Sequence, residues 1–476
     1  MKYRYSKTPE TLWETAIMVK NESMKTVREK AREIRVCHEA DVVVVGGGPG
    51  GHSAAIAAAR NGARTVLLER YGHLGGMATG GIVIQIPHMS DGGKEPIIAG
   101  LCLEWLERLD DIGGTLRPRM EELGSSDEKL VSWWRRFMGN VINGRIEHTA
   151  WVDPELLKCV LNDMVEEAGV RLFLHSWGTE AIVDNGKVRG VIFESKSGRQ
   201  AVLGEVIIDG TGDGDLLTSA GAEFDKTINP SSRSSMLALV FRLGNCDYQA
   251  YCDFRESEPE KHQELMKELA QFAGTRLLPL PSPRNDVMWF NNWIPELDCT
   301  NVEDLTRLEV EMRKIMRRGH DFMRNNIPTF ENSFILDTAS QTGTRGSRRL
   351  IGEYVITKED IQTSKKFKDT IAVFPRLGPP GQTRQVKHVY IPFRVLVPAK
   401  IEGLLVAGRS FSSEEEANNM ANLIPHCIAM GQAAGTAAAL VIKQHASPRK
   451  VDYRILQETL KRQGVHLPGV VVSEAI

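Results

Sequence analysis

Residues 41–70 read DVVVVGGGPGGHSAAIAAARNGARTVLLER. A valine run strikes a glycine block, an alanine-rich segment of helical character follows, and a second apolar strand ends on an acid. Gly46, Gly48 and Gly51 satisfy G-x-G-x-x-G between strand and helix, the pattern of a dinucleotide site. Gly46 permits the tight turn, Gly48 lets backbone approach a pyrophosphate, and Gly51 lets helix and strand pack closely. The helix N-terminus supplies free N–H groups and its positive dipole end. Glu69 stands 18 residues beyond Gly51, where a carboxylate accepts both ribose hydroxyl protons; a 2′-phosphate, and so NADP, is disfavoured.

Which dinucleotide binds depends on later turns. YGHLGGMATGG (71–81) is a second glycine-rich loop after the acid. DGTGDGD and LLVAGR add two buried strands that each run into glycine. An extended FAD crossing a sheet needs close backbone approach at several strand ends, whereas NAD needs fewer. FAD is the expected cofactor.

At 476 residues the chain exceeds what one hydrophobic core normally serves, so more than one domain is expected. Lys+Arg 59 against Asp+Glu 61 leaves a net charge of -2, which offers no bulk attraction to nucleic acid or anionic lipid. The aromatic-basic stretch VSWWRRFM (131–138) is read as one face of an amphipathic helix, not as a nucleic-acid site. Seven cysteines, scattered and without a CxxC pair, argue against a disulfide framework or a metal centre and for a reducing compartment. The charged amino terminus lacks the apolar core of a signal peptide, and no apolar run is long enough to span a bilayer. A cytoplasmic protein without a membrane or nucleic-acid partner is expected.

Residues 1–35 read as a polar, partly helical arm that is solvated, with packing on the core or on a neighbouring subunit as the alternative. DPELLKCVLNDMVEEAG has apolar residues at helical spacing, with Asp153 as N-cap and Pro154 in the first turn. VRLFLH, TEAIVD and KVRGVIFE read as strands, the last two joined by a DNGK turn, and Val302–Asn325 as a long amphipathic helix. Strand–helix units recur at the start, middle and end of the chain. The expected fold is α/β: a Rossmann-like FAD-binding domain with an inserted α+β substrate domain. The cofactor domain takes residues 36–85, 151–225 and 396–446, the substrate or cap domain 86–150 and 226–395, and a C-terminal tail 447–476.

GGGPGGHSAAIAAARNGARTVLLER, LGGMATGG, IIDGTGDGDL, GTRGSRRLIGEYVIT, YIPFRVLVP, LLVAGR and GQAAGTAAAL occur in this order. Together they resemble the FAD-dependent oxidoreductase family of the glutathione-reductase-type flavoproteins, related to the fumarate reductase and succinate dehydrogenase flavoproteins. The resemblance implies that Gly46, Gly48, Pro49 and Gly51 hold the pyrophosphate, and Glu69 with Arg70 the adenosine ribose. It places Gly76, Met77, Ala78 and Thr79 along the stretch from pyrophosphate to flavin, and Gly178 against adenine. Thr211, Gly212 and Asp213 match the TGD turn, and Gly408 with Arg409 the third cofactor strand. A helix beginning at Gly431, Gln432 and Ala433 would aim its N-terminus at the flavin pyrimidine; tight helix packing is the alternative role of those small residues. The chain departs from the family where RGSRR (345–349) replaces RESRR, where VFPRL (373–377) stands for an IDIH-like stretch, and at Glu414-Glu415-Glu416. Those departures bear on the substrate and leave FAD intact.

Only one nucleotide fingerprint of this type is present, so electrons reach the flavin through substrate, oxygen, a visiting NAD(P)H or a partner protein. Hydride transfer belongs to the flavin; the protein must orient substrate and manage a proton. His426 is the first candidate, five positions before Gly431, as a proton carrier. Arg394 in YIPFR alternates with Tyr390 and would clamp a carboxylate, unless it forms a structural ion pair. Arg345 and His388 follow, with Arg348, Arg349 and His88 behind them; the arginines also read as an ion-pair network. The expected activity is a dehydrogenase or reductase acting on a small polar or carboxylated molecule. The alternatives are a flavoprotein passing electrons to a partner protein, and a flavin-bound binding or assembly protein.

Overall fold

The computed structural model describes residues 26–376 and 387–470. Most of the expected N-terminal arm and Leu377 of the VFPRL stretch lie outside them. The fold is mixed α/β. Its largest sheet has seven strands, five of them parallel in the spatial order Arg171–Phe173, Thr65–Leu68, Arg35–Val45, Gly198–Asp209 and Leu404–Val406. Trp177–Asp184 and Lys187–Ser195 extend the sheet antiparallel from the first half of Gly198–Asp209. Val42 to Val45 are buried on both faces, which explains why this strand reads as a continuous valine run rather than an alternating one.

Register decides where a ligand can sit. Val45 lies opposite both Leu68 and Asp209, and Asp209 lies opposite Val406. Four parallel strands therefore end side by side, and the glycine turns after residues 45, 68, 209 and 406 converge on one edge. Crevices beyond the carboxyl ends of parallel strands are where open α/β sheets bind ligands.

Several local expectations agree with the structure. Asp153 caps helix Pro154–Glu167, accepting from Glu155 N at 2.9 Å and Leu156 N at 3.1 Å. Asn185 and Gly186 turn the hairpin with φ of 47° and 75°, the left-handed pair that a two-residue type I′ turn requires. Helix Glu128–Arg135 buries Val131 and Trp134 and leaves Trp133 outside. The long helix runs Val302–Asn326.

Helix Pro49–Arg60 lies against helix Ile424–Lys443, and the two touch through backbone. A methyl on Gly431 would stand 2.0 Å from the Gly50 carbonyl oxygen, and one on Gly435 2.0 Å from that of Ala54. No other described helix has the length and apolarity to cross a membrane, and the apolar window of Ile424–Lys443 is 94% buried in the protein.

A four-stranded antiparallel sheet, ordered Pro279–Leu280, Val287–Phe290, Phe241–Gly244 and Phe334–Thr338, stands over the strand-end crevice. Its Trp289 indole N–H donates to the Ile82 carbonyl, and its ring meets Trp151 edge-on at 5.9 Å. The hairpin Thr370–Arg376 with Lys387–Pro392 packs against helix Ile424–Lys443, where Phe374 stacks on His426. Part of the expected C-terminal tail is a docked helix, Tyr453–Arg462. Its Leu456 and Leu460 are buried, and Gln457 donates to the Lys368 and Thr370 carbonyls.

Candidate functional site

Helix Pro49–Arg60 starts with Gly48 as N-cap and without a side-chain cap, which leaves its first N–H groups for a ligand. Gly46 has φ +92°, and a methyl there would lie 2.6 Å from the Gly210 carbonyl oxygen. Gly51 is filled by Gly46 itself, whose carbonyl oxygen would be 1.8 Å from an added methyl. Gly48 differs from both: the nearest heavy atom to its added methyl is 3.9 Å away. That open face beside unpaired N–H groups fits a pyrophosphate.

The adjoining hollow is lined by Glu69, Arg70, Gly178 and Thr211. Glu69 is buried, accepting from Gly47 N at 2.6 Å and Tyr71 N at 2.8 Å. Burial pushes its carboxyl above the usual range, and the N–H groups of Tyr71 and Gly47 partly offset this. Asp209 closes the next strand and ties the DGTGD turn, accepting from Thr211 N at 3.0 Å, Thr211 Oγ1 at 2.6 Å and Leu216 N at 3.0 Å. Burial pushes its carboxyl to about 6.

Next to the open face of Gly48 lies a cavity of about 330 Å³, bounded by Pro49, Gly76, Met77, Gly408 and the helix start Leu423–Ile424, and opposite them by Trp289 and Trp293. Three arginines reach its wall: Arg233, Arg345 and Arg409. Arg409 pairs with Asp213 at 2.7 Å. Burial alone would raise the Asp213 carboxyl; Arg409 and Ser347 hold it below its usual range. Among the described residues Arg233 donates only to uncharged oxygens, Asn419 O and Asn422 Oδ1, each at 2.9 Å. Arg345 stacks on Trp293, 3.6 Å from guanidinium carbon to ring centroid, and its Nε is buried without a partner among the described residues. Burial, then Arg233 and Arg409, push Arg345 well below the usual arginine range, and Arg233 falls to about 10 chiefly by burial. Of the three guanidiniums only Arg409 has a carboxylate partner among the described residues, an arrangement that favours an incoming anion.

His88 also lines the cavity, with Nδ1 3.1 Å and 3.2 Å from the two oxygens of buried Glu147.

The expected cofactor residues Gly46, Gly48, Pro49, Glu69, Arg70, Gly76, Met77, Gly178, Thr211, Gly212, Gly408 and Arg409 line these connected hollows, and Asp213 lines an adjoining one. Ala78 and Thr79 do not: Ala78 is packed in the core, and the Thr79 hydroxyl ties back to Leu74 O. The Gly431 set is corrected too. The helix begins at Ile424, so Leu423, Ile424 and Cys427 face the cavity, while Gly431 meets Gly50. Gln432 accepts from Leu101 N at 2.9 Å on the far side, and Ala433 is buried.

Four expected catalytic residues do not line the cavity. His426 is buried, its Nδ1 accepting from Leu423 N at 3.3 Å and its ring stacked on Phe374 at 4.1 Å. Burial, with His88 and Arg233 nearby, pushes it to about 3, so it is neutral at pH 7 and a poor proton carrier there. Arg394 is on a 3-10 turn, Phe393–Leu396, that breaks the strand alternation after Pro392; it pairs with Asp369 at 2.9 Å and lies over Tyr354. Tyr390 is buried in the hairpin under Lys366, and His388 pairs with Asp91 at 3.2 Å. Arg348 and Arg349 form ion pairs with Asp215 and Asp225. Of the expected catalytic candidates, Arg345 and His88 reach the cavity. Arg233, Glu147 and Asp209 were missed; Asp209 repeats the apolar-strand-to-acid signal of Glu69 and was legible, whereas the other two carry no local signal.

Among solved structures, the chain is similar to a geranylgeranyl bacteriochlorophyll reductase-like protein from Thermoplasma acidophilum (15% identity, 89% of this chain, 83% of that one, TM-score 0.42). It is similar as well to p-nitrophenol 4-monooxygenase from Pseudomonas putida DLL-E4 (12% identity, 90% and 87% covered, TM-score 0.47). A third is L-proline dehydrogenase from P. horikoshii (11% identity, 90% and 99% covered, TM-score 0.41). The family described as FAD dependent oxidoreductase matches residues 41–460, nearly the whole described chain with its strand-end turns and cavity. The chain belongs to that family: it is an FAD-dependent oxidoreductase.

Proposed function

We propose that the enzyme is a dehydrogenase or reductase that exchanges hydride with a small carboxylated organic molecule. One observation carries this reading: Arg345 and Arg233 stand half-buried on the cavity wall with no carboxylate partner among the described residues. A guanidinium fork matches a carboxylate bidentately, and such charge-assisted bonds strengthen when water is excluded. The substrate carboxylate therefore supplies the charge that Asp213 supplies to Arg409.

The cofactor domain is taken as glutathione-reductase type, built from 36–85, 151–225 and 396–446, with 86–150 and 226–395 forming the cap. Gly48, Pro49 and Gly76 would hold the pyrophosphate, Glu69 and Gly178 the adenosine end, and Gly408, Leu423 and Ile424 the flavin end. Bound FAD supplies the two-electron redox chemistry. The chain's own residues bind the carboxylate, exclude water with Trp289 and Trp293, and leave the cofactor's phosphates to the helix N-terminus. All seven cysteines are free, which accords with a cytoplasmic setting.

The test mixes anaerobic holoenzyme with small hydroxy and amino compounds, each with and without a carboxylate, and follows bleaching of the flavin absorbance. Carboxylates should bleach it and their amides or esters should not. Equal bleaching by the uncharged partners, or bleaching by no member of the panel, overturns the reading.

A further inference from the structure

We propose that His88 is the catalytic acid–base of this enzyme and that Glu147 is its positioning residue. The inference rests on the reading above that a hydroxylated or aminated substrate is oxidised in this cavity.

Composition of the wall narrows the choice. Its described residues include no aspartate, glutamate, lysine or tyrosine. The arginines carry no spare lone pair for a proton at neutral pH. Cys427 also lines the cavity, but burial pushes its thiol to about 12, so it stays protonated. Thr211 and Thr344 contribute only hydroxyls, and the Thr211 hydroxyl is already tied to Asp209. His88 is left as the side chain on the wall that can both take and give a proton.

Its geometry is imposed. His88 has φ +61°, a left-handed backbone that non-glycine residues seldom adopt. Strain of this kind persists only where surroundings hold it, and it gathers at functional sites. Here the His88 N–H donates to Thr149 Oγ1 at 3.1 Å, and the next N–H, of Met89, donates to His148 O at 2.9 Å. Glu147 then fixes the ring. With Nδ1 donating its hydrogen to the two Glu147 oxygens, Nε2 keeps its lone pair. Among the described residues Nε2 has no hydrogen-bond partner, which leaves it for a molecule in the cavity. Glu147 is held in turn by the Thr149 hydroxyl at 3.2 Å. A buried carboxylate behind the imidazole sets the tautomer and stabilises the cation formed when Nε2 gains a proton, the role its counterpart has in a hydrolase triad.

In the oxidising direction bound FAD would supply the two-electron acceptor for the hydride that leaves when the substrate C–H bond breaks. The O–H or N–H bond on the same carbon breaks heterolytically; its electron pair becomes the new C=O or C=N bond, and its proton passes to Nε2. Solvent water later removes that proton, and reduction runs the same steps backwards. The charged and titratable groups facing His88 are Glu147 behind the ring, His426 on the helix across from it, and Arg233 and Arg345 on the wall.

The test uses FAD-loaded enzyme, the panel compound that bleaches it fastest, and the variants His88→Asn and Glu147→Gln. His88→Asn should keep the flavin spectrum and slow bleaching by about 10²- to 10⁴-fold, with partial rescue by added imidazole. Glu147→Gln should move the acid limb of the bleaching rate to lower pH, because a neutral amide no longer favours the protonated ring. An effect of His88→Asn below about threefold overturns the proposal. In wild-type protein labelled with ¹⁵N-histidine, the His88 resonance, identified by its loss in His88→Asn or His88→Gln, should report hydrogen on Nδ1 and none on Nε2. The opposite tautomer also overturns it. If no panel compound bleaches the flavin, the substrate reading fails while the tautomer still decides the role of His88.

Discussion

The Arg345 guanidinium carbon lies over Trp293, 3.6 Å from the ring centroid, with its Nε buried and unpaired among the described residues. The indole face attracts the cation and holds the guanidinium on the cavity wall. Arg345→Met should leave FAD bound and raise KM for a carboxylated substrate by about 10- to 100-fold, the loss of a charge-assisted hydrogen bond worth about 1.5–3 kcal/mol. Arg345→Lys should recover little, since an ammonium on a flexible stem neither stacks nor binds bidentately. Steady-state kinetics separate the two parameters; a fall in kcat at constant KM would count against carboxylate binding.

The contact between Gly431 and Gly50 is a second sensitive point. A methyl on Gly431 would stand 2.0 Å from a backbone oxygen, which cannot swing aside as a side chain can. Gly431→Ala should therefore force the two helices apart and cost about 1–3 kcal/mol. Because helix Pro49–Arg60 starts at the pyrophosphate turn, the temperature of FAD release, read from flavin fluorescence, should fall with the melting temperature. Wild-type melting of this variant would show that the helices do not cross so closely.

Glu69 joins two turns through its carboxylate, to Gly47 N and Tyr71 N. Glu69→Ala leaves both buried N–H groups without an acceptor and removes the group placed for the ribose. FAD should bind about 10- to 100-fold more weakly, as expected from losing one charge-assisted bond. Titration of apoprotein with FAD, followed by flavin fluorescence, measures this directly. Unchanged affinity would place the ribose elsewhere.

What could be read before the structure was whatever is encoded locally. The 41–70 stretch carries its strand, turn, helix and acid within one segment, and Asp153 caps its helix two and three residues downstream. Residues whose role depends on how an element ends were misread. Arg394 reads as a strand residue aligned with Tyr390, but the strand stops at Pro392 and the following turn rotates it onto Asp369. His426 reads as preceding a helix at Gly431, yet the helix already includes it, and Phe374 stacks on its ring. His88 and Glu147 are 59 residues apart in sequence, and nothing local announces that they meet.

The buried histidines set how the protein responds to acid. Burial pushes His52 to about 4, and His148 and His426 to about 3, against an ordinary 6.5. With folded values below unfolded ones, the native state holds fewer protons than the unfolded chain, so their stability contribution is present above about 6.5 and is lost as pH falls. Asp209 works oppositely: burial raises it from 3.8 to about 6, and its contribution grows as pH falls through that window. Burial raises Glu69 and Asp215 in the same sense. The three histidines are displaced further than Asp209, so melting temperature should fall between pH 7 and pH 5. His52→Phe isolates one contribution: the ring keeps its edge contact with Trp105 but cannot take a proton. Relative to wild type, this variant should gain melting temperature on going from pH 7 to pH 5. A constant difference between the two proteins across that range would mean that His52 is not the neutral, acid-sensitive group that its burial makes it.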